Sequence, residues 1–176
     1  MTGRVRRALE GLSAAMAIAG GIVLSLAAIF AVGAILLSAA NRPVLGDTEI
    51  MEFAAAAAIA SFLPWAQMRN AHVKITVFTD RLPTPLLMAI DAISRVAFAL
   101  VATVLAWRLA VGGIDAFGRT RMTMFLELPL WAGYLLAGIP MALWVVVTWF
   151  LALEAMLGRN GRPSSQPDRG FEEVGP

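Results

Sequence analysis

Residues 12–40 read LSAAMAIAGGIVLSLAAIFAVGAILLSAA, a run of 29 positions without one ionisable side chain. At a helical rise of about 1.5 Å per residue, some 20 such residues cross a hydrocarbon core of about 30 Å. Three more stretches follow at about 48–67, 85–112 and 130–157, each strongly apolar and poor in charge. The chain is 59% apolar and 15% charged over 176 residues, against about 45–50% and about 25% in soluble domains. The fold class is therefore an all-α membrane protein with four transmembrane helices, occupying residues 1–157. Residues 158–176 are rich in Gly, Pro, Ser and charge and form a disordered tail in this reading.

The first run follows Arg4, Arg6 and Arg7. A basic start before an apolar run also marks a signal peptide, but this run is too long for a cleaved leader and reads as a retained span. Within it Ser13, Ala17, Gly21 and Ser25 recur every four residues. Such a stripe either lets a second helix approach closely or is a by-product of Ala/Gly-rich composition. The second run opens on Asp47, Glu49 and Glu52, where negative charge suits a helix N-terminus, and carries Pro64 near its far end. Between the second and third runs, Arg69, Asn70, His72, Lys74, Asp80 and Arg81 mix with Val73, Ile75, Val77 and Phe78. The mixture suits a segment lying at the membrane interface.

Charge also orients the spans. The N-terminus, the middle loop and the tail together hold nine Lys and Arg, and the two other connections hold three: Arg42, Arg119 and Arg121. The excess of basic residues belongs on the cytoplasmic side. Both termini are then cytoplasmic, and the connections 41–47 and 113–129 face outward. Trp131 and Tyr134 fall at the outer interface, where amphipathic rings sit.

Charges within the spans call for a reason. Asp91 and Arg95 are four apart and share a helix face, as an ion pair within the helix or as a polar contact to a neighbour. Arg108 lies 13 positions beyond Arg95, roughly 220° around the helix, and snorkels toward the outer end. Glu52 is either wetted by headgroups or a proton-coupling acid. Glu154 reads as a helix-terminal residue. Catalysis has little support. There is no cysteine, one histidine (His72), no Gly-x-Ser-x-Gly elbow and no phosphate-cradling glycine loop. A metal site is not expected, and the basic clusters adjoin spans, where lipid headgroups rather than nucleic acid attract them. Three readings compete: a subunit of a larger assembly, a stand-alone proton-coupled transporter using Glu52, and a membrane enzyme using Asp91 or His72.

The order of several short motifs favours the first. Asn41-Arg42-Pro43-Val44, Gly46, Glu49 and Glu52 are followed by Arg69-Asn70-Ala71-His72-Val73-Lys74, by Asp80-Arg81-Leu82-Pro83, and by Leu128-Pro129-Leu130-Trp131 with Tyr134 and Pro140. Over residues 5–157 this resembles the small permease subunit, DctQ-type, of tripartite ATP-independent periplasmic (TRAP) transporters. One departure is Thr76, near where the family often has an Asp. The resemblance implies a non-enzymatic subunit of the bacterial inner membrane. Its partners would be a large permease subunit that holds the solute and sodium sites, a periplasmic solute-binding protein, and membrane lipids. It implies no cofactor and no substrate site in this chain. Arg42, Glu49, Glu52, Arg69, His72, Asp91 and Arg95 are its candidate interface or structural polar residues.

Overall fold

The computed structural model describes residues 2–69 and 84–157. The expected interfacial segment, with His72 and Lys74, and the expected disordered tail lie outside the described residues. Four α-helices make up the fold: α1 (Thr2–Ala39), α2 (Asp47–Met68), α3 (Thr84–Gly118) and α4 (Leu130–Met156). All four are long and apolar enough to cross a membrane.

Two helices outrun their expected spans. α1 starts ten residues before position 12 and has 38 residues, about 57 Å of helix. Its first turns carry Arg4, Arg6, Arg7 and Glu10, which are good helix formers though not membrane-compatible. Charge ends a span, but it does not end a helix. α3 continues six residues past position 112 to Gly118. Arg108 is thereby ten residues from the helix end, about 15 Å, and its side chain is exposed.

α1 and α3 stop in the same way. At the end of α1, Asn41 takes a left-handed conformation (φ 57°). The Asn41 N–H then donates to the Ser38 carbonyl at 3.0 Å and the Arg42 N–H to that of Leu37 at 2.9 Å. At the end of α3, Thr120 is left-handed (φ 48°), and Thr120 and Arg121 donate to Phe117 and Ala116 at 3.3 and 3.2 Å. These are Schellman closures, which satisfy carbonyls that a helix end leaves open. Asn tolerates that conformation. Thr, being β-branched, adopts it only under constraint.

The helices stand in a row rather than a square bundle. α1 packs on α2, α2 on α4, and α4 on α3; α1 meets α4 only marginally, and among the described residues neither α1 nor α2 touches α3. The inner helices α2 and α4 run parallel, and each outer helix runs antiparallel to its neighbour. Each seam depends on a small residue. On α1 the buried positions are Ser13, Gly20, Ala27 and Ala34, a seven-residue repeat. This corrects the expected four-residue stripe: Ser13 is shared, Ala17 and Gly21 are half-buried, and Ser25 is exposed, its hydroxyl donating to the Gly21 carbonyl. Two packed helices keep one face together at a period of about 3.5, and a strict four-residue repeat drifts away from the seam. α4 buries Gly133, Ala137, Pro140, Trp144, Val147 and Leu151 at alternating steps of four and three.

A Cβ added at Gly20 would fall 2.7 Å from the Ser61 Cβ, and one at Gly112 would fall 2.8 Å from Tyr134 Cε1. At Gly133 it would overlap the Phe53 ring of α2. Small residues at these points let helix backbones approach closely, which is how helices associate where lipid is as apolar as leucine. In the α3–α4 seam, Trp149 Nε1 donates to Thr103 Oγ1 at 3.0 Å, and the Thr103 hydroxyl donates to the Ala99 carbonyl at 2.7 Å.

Gly133→Val drives a branched side chain into the Phe53 ring and is expected to destabilise by about 1–3 kcal/mol, the usual cost of overpacking. Gly33, with nothing within 4 Å of its would-be Cβ, is the contrast: Gly33→Ala is expected to be neutral or stabilising, by up to about 1 kcal/mol. Thermal unfolding of the detergent-solubilised chain compares the two.

Candidate functional site

At one end of the row, the carboxylate of Glu49 organises the backbone. Glu49 is the third residue of α2, and Gly46 at the helix N-cap offers no capping side chain. In that position a glutamate commonly bends back to its own helix start. Here it reaches across to the connection between α3 and α4, 76 residues away. Phe125 N–H donates to Oε1 at 2.7 Å and Leu126 N–H to Oε2 at 2.9 Å. Glu49 is buried in the contact. Hydrogen bonds from N–H groups to an ionised carboxylate are short and stronger than neutral ones.

The segment it holds is a short hairpin. Met122 and Pro129 form an antiparallel bridge. Leu130 N–H donates to the Arg121 carbonyl at 3.0 Å, and Thr123 N–H donates to the Leu128 carbonyl at 2.9 Å. Leu128 N–H donates to Thr123 Oγ1 at 3.0 Å. The turn passes through Glu127 in a left-handed conformation (φ 50°). The N–H groups of Phe125 and Leu126 point away from the ladder, and Glu49 satisfies both. Gly46 completes the joint. It is left-handed (φ 80°), and the Leu126 side chain fills the place a Cβ would occupy. Below the hairpin, the Asp115 carboxylate accepts from Arg119 Nε at 2.7 Å and lies 3.5 Å from Arg121 Nη2. Phe117 and Trp131 meet edge to face at 5.9 Å, and Tyr134 packs on Gly112 and Gly113.

The other candidates are scattered. Arg42 is exposed in the turn after α1, where its backbone, not its side chain, closes the helix. Glu52 is exposed one turn along α2 from Glu49, on the side next to α1. It lines an open groove of about 370 Å³ with Ala31, Ile35, Asp47, Thr48 and Met51. Arg69 lies at the far end of α2, its guanidinium 4.6 Å from the Trp65 ring centre, a cation–π contact. Arg95 is half-buried on α3. His72 and the Asp91 side chain lie outside the described residues. The structure thus joins Glu49 to the hairpin, while Arg42 and Arg69 lie apart at opposite ends of the row. Among the described residues, no three His, Cys, Asp or Glu side chains converge as metal ligands.

At the opposite end Glu154 does more than terminate a helix. Arg6 lies 3.1 Å from Glu10 and 3.8 Å from Glu154. Leu9 packs beside them on the Met68, Val147 and Leu151 cluster. The start of α1 is thereby attached to the ends of α2 and α4. Sequence reasoning missed both the hairpin and this clasp. The only local sign of the hairpin was an apolar Met124-Phe125-Leu126 step inside a connection otherwise rich in charge.

Glu49→Gln keeps the shape but removes the charge and one acceptor, and Glu49→Ala removes both acceptors. Amide hydrogen exchange at Phe125 and Leu126 is expected to rise roughly tenfold or more in the alanine variant and less in the glutamine one. Glu52→Gln, in the groove beside α1, is expected to leave both amides unchanged.

A family model described as "Tripartite ATP-independent periplasmic transporters, DctQ component" matches residues 26–158. The match takes in the last third or so of α1, all of α2 to α4, and the hairpin. No curated protein and no solved structure shows a significant match to the chain. With four membrane-crossing helices and a match over most of its length, this multi-pass membrane protein belongs to the DctQ family of TRAP transporter components.

Proposed function

We propose that the chain is the small, fixed membrane subunit of a sodium-coupled TRAP transporter in the bacterial inner membrane. It supports a large transport subunit that carries the solute and sodium sites, and it helps dock a periplasmic solute-binding protein for uptake of organic acids or similar solutes. The observation that carries this reading is the row of helices. A row leaves long helix faces uncovered, and those of the two outer helices are apolar. α1 turns Ile18, Ile22, Ile29 and Val32 outward, and α3 turns Ile93, Leu100, Val104 and Trp107 outward. Such a wall can lie flat against a second membrane protein, packing helix against helix. The excess of basic residues at the end bearing the termini supports a periplasmic position for the Glu49 hairpin.

Glu52 fits this role better than that of a coupling acid. It faces an open groove at the margin of the membrane and not an enclosed path across it.

Two measurements test the reading. Co-expressed with its cognate large TRAP permease subunit, the chain is expected to co-purify as a stable complex, and reconstituted uptake is expected to require both subunits and the binding protein. Failure to form any complex would sink the proposal, as would proton flux by the chain alone that disappears in Glu52→Gln. The chain has no cysteine, so single-cysteine labelling reports sidedness directly. Glu127→Cys is expected to react with an impermeant thiol reagent from the periplasmic side, and labelling only after cell disruption would reverse the orientation.

A further inference from the structure

Between Arg95 and Asp115, α3 carries one ionisable side chain, Arg108. It lies on the uncovered side of the helix. α3 turns Ala99, Ala102, Gly112, Gly113 and Ala116 toward α4, the one helix it packs on among the described residues. Arg108 is on none of these positions and is exposed. Among the described residues no carboxylate lies within ion-pair distance of it.

Depth makes this charge costly. The Asp115–Arg119–Arg121 ion cluster at the hairpin end of α3 belongs in water or among headgroups. Arg108 is seven residues before Asp115, about 10 Å along the helix and so about a third of the way into a hydrocarbon core of about 30 Å. The way out is unfavourable. The Cα–Cβ bond of a helical residue tilts toward the helix N-terminus, which here is away from the nearer headgroups. Asp115 is already engaged by Arg119 and Arg121, and those two cations meet the nearer headgroups first.

The face around Arg108 has the pattern of a helix seam. Ser94, Ala97, Val101, Val104, Arg108 and Val111 follow one another at steps of three and four, and all are exposed. That period keeps one face against a neighbouring helix, and α4 buries its own seam at the same steps. Lipid chains impose no such period. The other members of the stripe are small or β-branched, which allows close approach and leaves little side-chain freedom to lose. The bulkier Leu100, Trp107 and Ile114 line its flank. A single polar member in an apolar seam selects partner and register.

We propose that this stripe of α3 receives a helix of the large transport subunit, and that an Asp or Glu carboxylate of that helix pairs with Arg108 inside the hydrocarbon. This rests on the reading of the chain as a TRAP transporter subunit, which supplies the partner; it adds the helix that makes the contact, the face and the chemistry. A guanidinium presents parallel N–H donors that fit a carboxylate, and the pairing offsets the burial of charge on both helices.

The complex of this chain with its cognate large subunit in lipid nanodiscs tests the inference. If the wild-type chain forms no complex, the transporter-subunit reading and this inference fall together; if it does, the variants judge the inference alone. Arg108→Leu removes a side chain that holds no other helix of this chain, yet it is expected to weaken the complex at least about tenfold, since it strands a carboxylate in the partner. A complex of undiminished strength would overturn the proposal. Arg108→Lys keeps the charge and is expected to lose less, and a lysine variant no better than the leucine one would overturn the pairing. A second measurement leaves Arg108 in place. A photoreactive benzophenone side chain in place of Trp107, on the flank of the stripe, is expected to cross-link to the large subunit. Cross-linking to lipid alone, or to a second copy of this chain, gives the face another occupant and counts equally against the proposal.

Discussion

Apolar helices in a bilayer gain nothing by hiding from lipid, so their association must come from how closely their backbones can approach. Every seam in this protein answers that constraint with a small residue. Gly20 sits against Ser61, Gly133 under the Phe53 ring, and Gly112 and Gly113 under Tyr134. These contacts place α2 and α4 in the middle and leave α1 and α3 at the margins with most of their surface outward. The row follows from where the small residues are, and a broad apolar wall follows from the row.

The two ends of that wall are held by charge, each in a different way. At the terminal end Arg6 bridges toward Glu10 and Glu154. These side chains are partly exposed, so solvent and salt screen them and they add modestly. The other end relies on a buried carboxylate with two backbone donors, a geometry that orders a loop as well as attracting it. The first holds helix ends together; the second shapes a surface. In the described chain the connection held by the Glu49 carboxylate is also the one that exposes the apolar Met124 and Phe125 side chains.

Much of this architecture was legible from residue order alone. Span positions for α2 and α4 fall within a residue or so of the observed helices because charge and proline bracket them on both sides. The extents of α1 and α3 were not legible. Hydropathy marks where a helix may lie in lipid, whereas Arg4 to Glu10 and Ile114 to Gly118 continue as helix on local propensity and on contacts made outside the hydrocarbon. The small-residue stripe on α1 was seen with the wrong period, since Ser13, Ala17, Gly21 and Ser25 and the true set Ser13, Gly20, Ala27 and Ala34 are equally small. Composition cannot choose between them; only the partner helix does. Among the candidate polar residues Glu49 proved to be engaged, for a reason that sequence spacing could not carry. Its partners are the main-chain N–H groups of Phe125 and Leu126, and a backbone donor is the same at every position.

The sequence by itself determined that this chain crosses a membrane four times, which of its ends carries the excess positive charge, and to which family of transport components it belongs. Each of these rests on quantities that add up along the chain: apolar length, basic residues per loop, and the order of short motifs. Only the tertiary structure decided that the helices form a row, that α4 rather than α3 adjoins α2, and that Glu49 reaches across to build a hairpin with an apolar tip. Those outcomes depend on which small residue meets which ring or backbone between segments far apart in the chain. Local patterns do not record such contacts, because close approach is a property of pairs.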